Sequence, residues 1–507
     1  MEAAASAQAA TLAAEAVRLA ELVAVVKRLA EARPCDFSAL RTALVALIDS
    51  GLSDTTLKHG FILAASAIKA GCQHRADAVV HAALLRVFAA LNRAKANFDT
   101  GYAATLSLDS DFAASVGLMS DCRAVLSVQT DCIFTLTDLS LSAEHTRAGA
   151  RTGAFTMLFM ALRRHGAALV SAAEPALNHV LLSATAFLSA RHVTELEDFA
   201  ATVHASGLVL VLSRDAGAVK QALEVLSFCC CDCSEALLAL EPDKVKLLGS
   251  SALLDWSLEL CMANHVADRG VVLSLLNTLK SLAAVSHHRL QDHPHAAEVS
   301  LVISELIVRV MLANAGDEEV QVLGCTGLDI LCFGRGFQRW RCPIQLNESS
   351  LQSAITAGAV VPVAAALRSH HTDEALFMYA TRLMSCFFEF GAFDTAPFTD
   401  LVQVCVEALD RKVLPTEDTS EHVHSPALVS GTRLLDFMFK RSSECRDLGR
   451  RVGAAKTLLA VQAILALRTD LLDSSKTIAL RALQRLNTQE SATLQNSLPS
   501  AGAGRRS

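Results

Sequence analysis

Ile355 to Ser385 reads ITAGAVVPVAAALRSHHTDEALFMYATRLMS. An aliphatic helix opens behind the Gly358-Ala359 pair, polar residues from Arg368 interrupt it, and a second apolar helix follows. In that second helix the small Ala380 precedes Met384 by one turn. A residue without bulk lets a neighbouring helix approach closely, and the large side chain one turn later fills the layer between them.

The same step recurs from Thr135 onward: Thr135 to Leu139, Ala184 to Leu188, Ala222 to Leu226, Thr278 to Leu282, Gly327 to Leu331, Gly431 to Leu435 and Ala479 to Leu483. The interval is mostly about fifty residues, within the range of stacked helical repeats. Asp215, Asp268, Asp317, Thr372 and Asp473 stand upstream as N-caps, each able to accept from the orphan amides of a first turn. Gly153-Ala154 and Gly453-Ala454 open further aliphatic helices as Gly358-Ala359 does. The stretch Ser349 to Leu367 is long and uncharged, but Gly358 and Pro362 divide it, predicting helix, turn and helix rather than a membrane span.

Composition points the same way. Of 507 residues, 52% are hydrophobic and only 5% aromatic, the apolar content being mostly Ala, Leu and Val, with 10 prolines to interrupt it. A chain this long exceeds one compact core, so it is read as an extended array. The net charge of -7 supplies no basic field for phosphate backbones, and no nucleic-acid partner is expected. The N-terminus shows neither a basic start nor an apolar signal block, and the 15 cysteines are odd in number and scattered. A cytoplasmic chain with reduced, buried thiols follows as the expectation, with nucleus and cilium left as alternatives.

The strings Ile355 to Ser385 and "RVGAAKTLLAVQAILALRTDLLDSSKTIALRALQRL" from Arg451 resemble armadillo repeats, a family that builds each repeat from a short helix and two longer ones. The resemblance covers Cys122 to Asn487. It implies an all-α, armadillo-like α-solenoid, a right-handed superhelix of stacked helical repeats. Residues 1–34 are expected as an N-terminal capping helix, 35–121 as atypical helical repeats, 122–490 as armadillo-like repeats and 491–507 as a disordered tail. Asn92 to Phe112 and Lys412 to Pro426 read as loops. Family members that grip extended peptides place an Asn just before the final Leu of each repeat. The matching positions here are Asp138, Phe187, Val225, Ser281, Ile330, Leu383, Leu434 and Ala482, so the asparagine ladder is missing.

Residues able to do chemistry are few. Phe228 to Cys233, FCCCDC, offers soft thiolates, but a closed zinc site needs four converging ligands and no second cysteine pair of matching spacing exists; buried thiols are the simpler reading. His287, His288, His293 and His295 could hold a transition metal or belong to a solvated connection between repeats. No phosphate loop, nucleophile elbow or His-Glu-x-x-His helix is present. No catalytic, cofactor or metal residue is therefore nominated, and the chain is read as not an enzyme.

The surfaces nominated for partner binding are two. Gly334 to Pro343 concentrates Arg335, Arg339, Trp340 and Arg341, residue types common at interface anchors. Two residues before the final Leu or Met of each step stand Thr137, Ala186, Glu224, Lys280, Asp329, Arg382, Arg433 and Arg481, so the last three repeats place arginine in one row. Such a row would pair with carboxylates or phosphates of an extended protein partner, unless the arginines pair with acids of the next repeat or only solvate a helix face. The function expected is a non-catalytic protein-interaction scaffold working through its concave helical surface, with no membrane partner. The alternatives are a structural or regulatory subunit of a cytoskeletal or ciliary assembly, and an enzyme with a dispersed site.

Overall fold

The computed structural model describes residues 2–31, 39, 43, 108–139, 143–189, 199–231, 253–289, 296–334, 346–391, 398–413, 425–467, 475 and 477–487. Among these the regular elements are helices and none is a strand, so the fold is all-α. Residues 39 and 43 aside, the segment 32–107, which holds most of the expected atypical repeats, lies outside the described residues, as do the stretches 335–345 and 414–424 and the C-terminal tail 491–507.

The chain divides into two compact bodies, the first Met1–Cys229 with Trp256–Cys261, the second Cys230–Asp255 with Met262–Ser507. The first contains α1 (Glu2–Glu31), α2 (Leu108–Asp121), α3 (Leu126–Leu139), α4 (Ala143–Arg151), α5 (Ala154–Ser189), α6 (Phe199–Leu212) and most of α7 (Ala216–Cys231). A π-helical turn, Leu253–Leu258, runs into α8 (Glu259–His265). The second body holds α9 (Arg269–Arg289), α10 (Ala296–Ala313), α11 (Glu318–Phe333), α12 (Glu348–Thr356), α13 (Val360–His370), α14 (Glu374–Glu389), α15 (Leu401–Val413), α16 (Ser425–Arg441), α17 (Ser443–Arg451), α18 (Ala454–Leu467) and α19 (Ile478–Asn487).

One helical triplet accounts for much of this order: a short helix, a glycine turn, a middle helix and a third helix. It appears as α12, α13, α14 and again as α17, α18, α19. The turn glycines Gly358 and Gly453 have φ of 80° and 79°, and Gly153 between α4 and α5 has 85°. A Cβ is disfavoured in that left-handed region, and it is where a helix ends and reverses cheaply. The hydrogen bonds around the turn repeat as well: Thr152 N donates to Ala148 O at 3.1 Å, Ala357 N to Ser353 O at 2.9 Å and Val452 N to Leu448 O at 2.9 Å. The stretch Ser349 to Leu367 is accordingly two helices, bent by 83° across Gly358, and no single described helix is long and apolar enough to cross a membrane.

In the second body the third helices of the two triplets belong to one contact series, α9 to α11, α11 to α14, α14 to α16 and α16 to α19, whose members are called third helices below. The middle helices of the triplets belong to a second series, α10 to α13, α13 to α15 and α15 to α18. The core lies between these rows, where Phe377, Phe387, Phe388 and Phe439 are buried. Complete burial of such a side chain contributes about 1.5–3 kcal/mol.

All eight small residues of the recurring step are buried: Thr135, Ala184, Ala222, Thr278, Gly327, Ala380, Gly431 and Ala479. Their size is used. A Cβ on Gly327 would lie 3.0 Å from Ile307 Cδ1, and one on Gly431 only 2.7 Å from Phe377 Cζ.

The caps are as expected at Asp215, Asp268 and Asp317, whose carboxylates accept from Gly217 N, Val271 N and Val320 N. At α14 the cap is Asp373 rather than Thr372: its carboxylate accepts from Leu376 N at 2.7 Å. The aspartate one residue later reaches the first-turn amides, which moves the helix start accordingly. Asp473 lies outside the described residues. Phe112, placed at the end of a loop by its sequence surroundings, is instead buried within α2. Helix also trims the other expected loop, since Lys412 and Val413 close α15 and Ser425 and Pro426 open α16.

Candidate partner-binding surface

The row of arginines rests on α14, α16 and α19, and its members have different surroundings. Arg382 is only 10% exposed in its side chain, with Nε 3.5 Å from Oδ1 of Asp329, itself 1% exposed. Its guanidinium also lies 3.9 Å from the centre of the Phe333 ring, a cation–π contact. Asp329 occupies the same column of α11 that Arg382 occupies on α14, so the pair joins successive third helices. Burial pushes the Asp329 carboxyl up to about 7 against the opposing pull of Arg382. Arg382 is thus a pairing residue inside the packing rather than a member of an exposed ladder.

Arg433 and Arg481 are exposed. They stand near Asp436 on α16, whose carboxyl is raised by burial while Arg485, Arg481, Lys440 and Arg433 pull it down. Arg485 Nη1 is 2.9 Å from Asp436 Oδ2 and donates to Asp436 O at 3.0 Å, which fixes α19 against α16. Of these four cations Arg485 is paired with the carboxylate, while Arg433, Lys440 and Arg481 are exposed on the same two helices. Such an excess of guanidinium can take carboxylates or phosphates in bidentate fashion.

The other nominated residues, Arg335, Arg339, Trp340 and Arg341, lie outside the described residues. So do Cys233, His293 and His295. His287 departs from the expected solvated connection: it is buried near the end of α9, with Nδ1 3.2 Å from Leu331 O. Cys229 is buried in α7. Burial pushes up the thiols of Cys132 and Cys261 to about 12 and that of Cys386 to about 11, and raises Cys325, Cys332, Cys405 and Cys445. Among the described residues no three His, Cys, Asp or Glu side chains group closely enough to hold an ion.

One paired device escaped the sequence reading. Gln321 Nε2 donates to Met311 O and Asn314 O, both at 2.9 Å, and Gln129 Nε2 donates to Met119 O and Cys122 O, both at 3.0 Å. Each glutamine adds a donor to the carbonyls that close the preceding helix and its turn, and so ties its own helix to that end. The signal was present as a Met ten residues before the glutamine of a Val-Gln pair in both places.

No family model matches the chain, and no curated protein matches it. A crystal structure of an engineered protein from the Northeast Structural Genomics Consortium aligns over 92% of this chain and 99% of its own, at 16% identity and a TM-score of 0.34. That likeness is too distant to assign a family.

Proposed function

We infer that the chain is an armadillo-like helical-repeat scaffold that holds an acidic, extended segment of another protein along its third helices and does not itself catalyse a reaction. The observation that supports this reading is that exposed Arg433 and Lys440 flank Asp436 on α16, while exposed Arg481 stands on α19, the helix whose Arg485 pairs with Asp436. Successive helices lie roughly 10 Å apart, about the rise of three residues of an extended chain, so cations on α16 and α19 can each meet a separate acidic side chain of such a segment. Repeat arrays of this kind present long surfaces suited to such partners.

The test is affinity purification from the native cell with the wild-type chain and with Arg433→Glu/Arg481→Glu. Both residues are exposed, and the thermal midpoint of the variant is measured to report its folding. The expected result is a partner retained by the wild type and lost by the variant, whose reconstituted binding weakens as salt rises. An identical partner set on the folded variant refutes the reading.

A further inference from the structure

A cleft of about 240 Å³ opens in the first body where the turn between α2 and α3 meets the opening stretch of α5. Three arginines line it: Arg123 from the turn, and Arg163 and Arg164 from α5. Arg123 is positioned by its neighbours. Its Nε donates to Ser120 O at 3.1 Å and its Nη2 contacts Ser120 Oγ at 3.2 Å, while His165 Nε2 lies 2.9 Å from Arg123 O and ties the turn to α5. Gln129, also in the wall, commits its amide nitrogen to Met119 O and Cys122 O and holds the end of α2 in place.

Arg163 and Arg164 are exposed, and among the described residues no carboxylate lines the cleft. They precede the break of α5 at Gly166, and cations near a helix C-terminus gain from its carbonyls. That accounts for a cation at the helix end, but not for a third guanidinium brought from another element to the same cleft. Met157 and Met160 supply an apolar, adaptable wall beside the charges. The volume is below the roughly 300–1,000 Å³ of drug-sized ligand pockets and suits a single side chain.

We propose that this cleft binds a phosphorylated side chain of a partner protein, the phosphate facing Arg123, Arg163 and Arg164 and the stem lying on the methionines. A carboxylate brings one charge, whereas a phosphomonoester brings about −1.5 to −2 and three acceptor oxygens. The site shares no residue with the α16 and α19 surface, so either can fail alone.

The full-length chain is titrated into fluorescent degenerate peptides carrying a fixed central phosphoserine, and into the same pools with serine or glutamate there. Phosphatidylcholine vesicles containing a phosphoinositide provide the lipid arm. The phosphoserine pool should bind about ten-fold tighter than the serine pool, as charge-assisted bidentate contacts imply. Arg163→Glu/Arg164→Glu should remove that preference, Arg163→Gln/Arg164→Gln should remove most of it, and Arg433→Glu/Arg481→Glu should leave it intact. Thermal midpoints of the variants report their folding. Equal binding of the three pools, a preference that survives the Arg163 and Arg164 substitutions in folded protein, or binding to vesicles with no phosphopeptide preference would each overturn the proposal.

Discussion

Arg382 and Arg433 stand at the same column of neighbouring third helices, yet Arg382 is buried against Asp329 and Arg433 is exposed. The acid one helix upstream makes the difference. On α11 the column holds Asp329, so α14 can bury its guanidinium beside a carboxylate and the Phe333 ring. For α16 the upstream column residue is Arg382 itself, and its own acid, Asp436, is engaged by Arg485 of α19. An arginine row in sequence is therefore a mixture of internal pairs and surface charges, sorted by the sign of the neighbour.

The largest test of that contrast is a pair of truncations. Arg382→Ala leaves Asp329 buried without its partner and should cost about 3–5 kcal/mol at pH 8. Arg433→Ala should change stability by no more than about 0.5 kcal/mol. Urea unfolding of both variants checks this, and equal losses would erase the distinction. The pH sign is fixed by Asp329. Its folded carboxyl is raised from 3.8 to about 7, so between those values the native state holds a proton that the unfolded state has lost. Stability from this group is highest below pH 3.8, falls as pH rises to about 7 and is constant above. The cost of Arg382→Ala should accordingly shrink at about pH 5, where Asp329 can take up a proton.

A smaller effect sharpens the packing side of the comparison. Gly431 lies two residues before Arg433, and its missing Cβ lets Phe377 of α14 and Leu409 of α15 close on α16. Gly431→Ala should cost about 1–3 kcal/mol through overpacking, read from the same denaturant curves. A smaller loss than at Gly431 is expected at an exposed pair, Arg368 with Asp400, at 2.5 Å between Nε and Oδ2. Arg368→Ala should cost about 0.2–1 kcal/mol and less at high salt, since solvent screens it.

The helix packing was legible because the small residues and the turn glycines are dictated by backbone geometry. Ala380 and Gly431 are small because a neighbour occupies their space, and Gly358 is glycine because its φ is positive. Side-chain partnership was less legible. The sequence left Arg382, Arg433 and Arg481 open as a binding row or as partners of acids in a neighbouring repeat, and the change of sign from Asp329 to Arg382 marks where the internal pair forms. His287 misled for a related reason: its polar sequence neighbours suggest solvent, while its ring meets Leu331 O from a helix 44 residues away. The cleft of Arg123, Arg163 and Arg164 has no local signature, since its turn and helix are brought together only by folding.

The buried thiols give the molecule a set of internal clocks. Thiolate is the species that alkylating reagents attack, and burial suppresses it at Cys132 on α3, Cys261 on α8, Cys325 and Cys332 on α11, Cys405 on α15 and Cys445 on α17. Each becomes reactive when its own helix opens. Labelling rates followed cysteine by cysteine would therefore rank the helices by opening free energy, with no probe added to the chain.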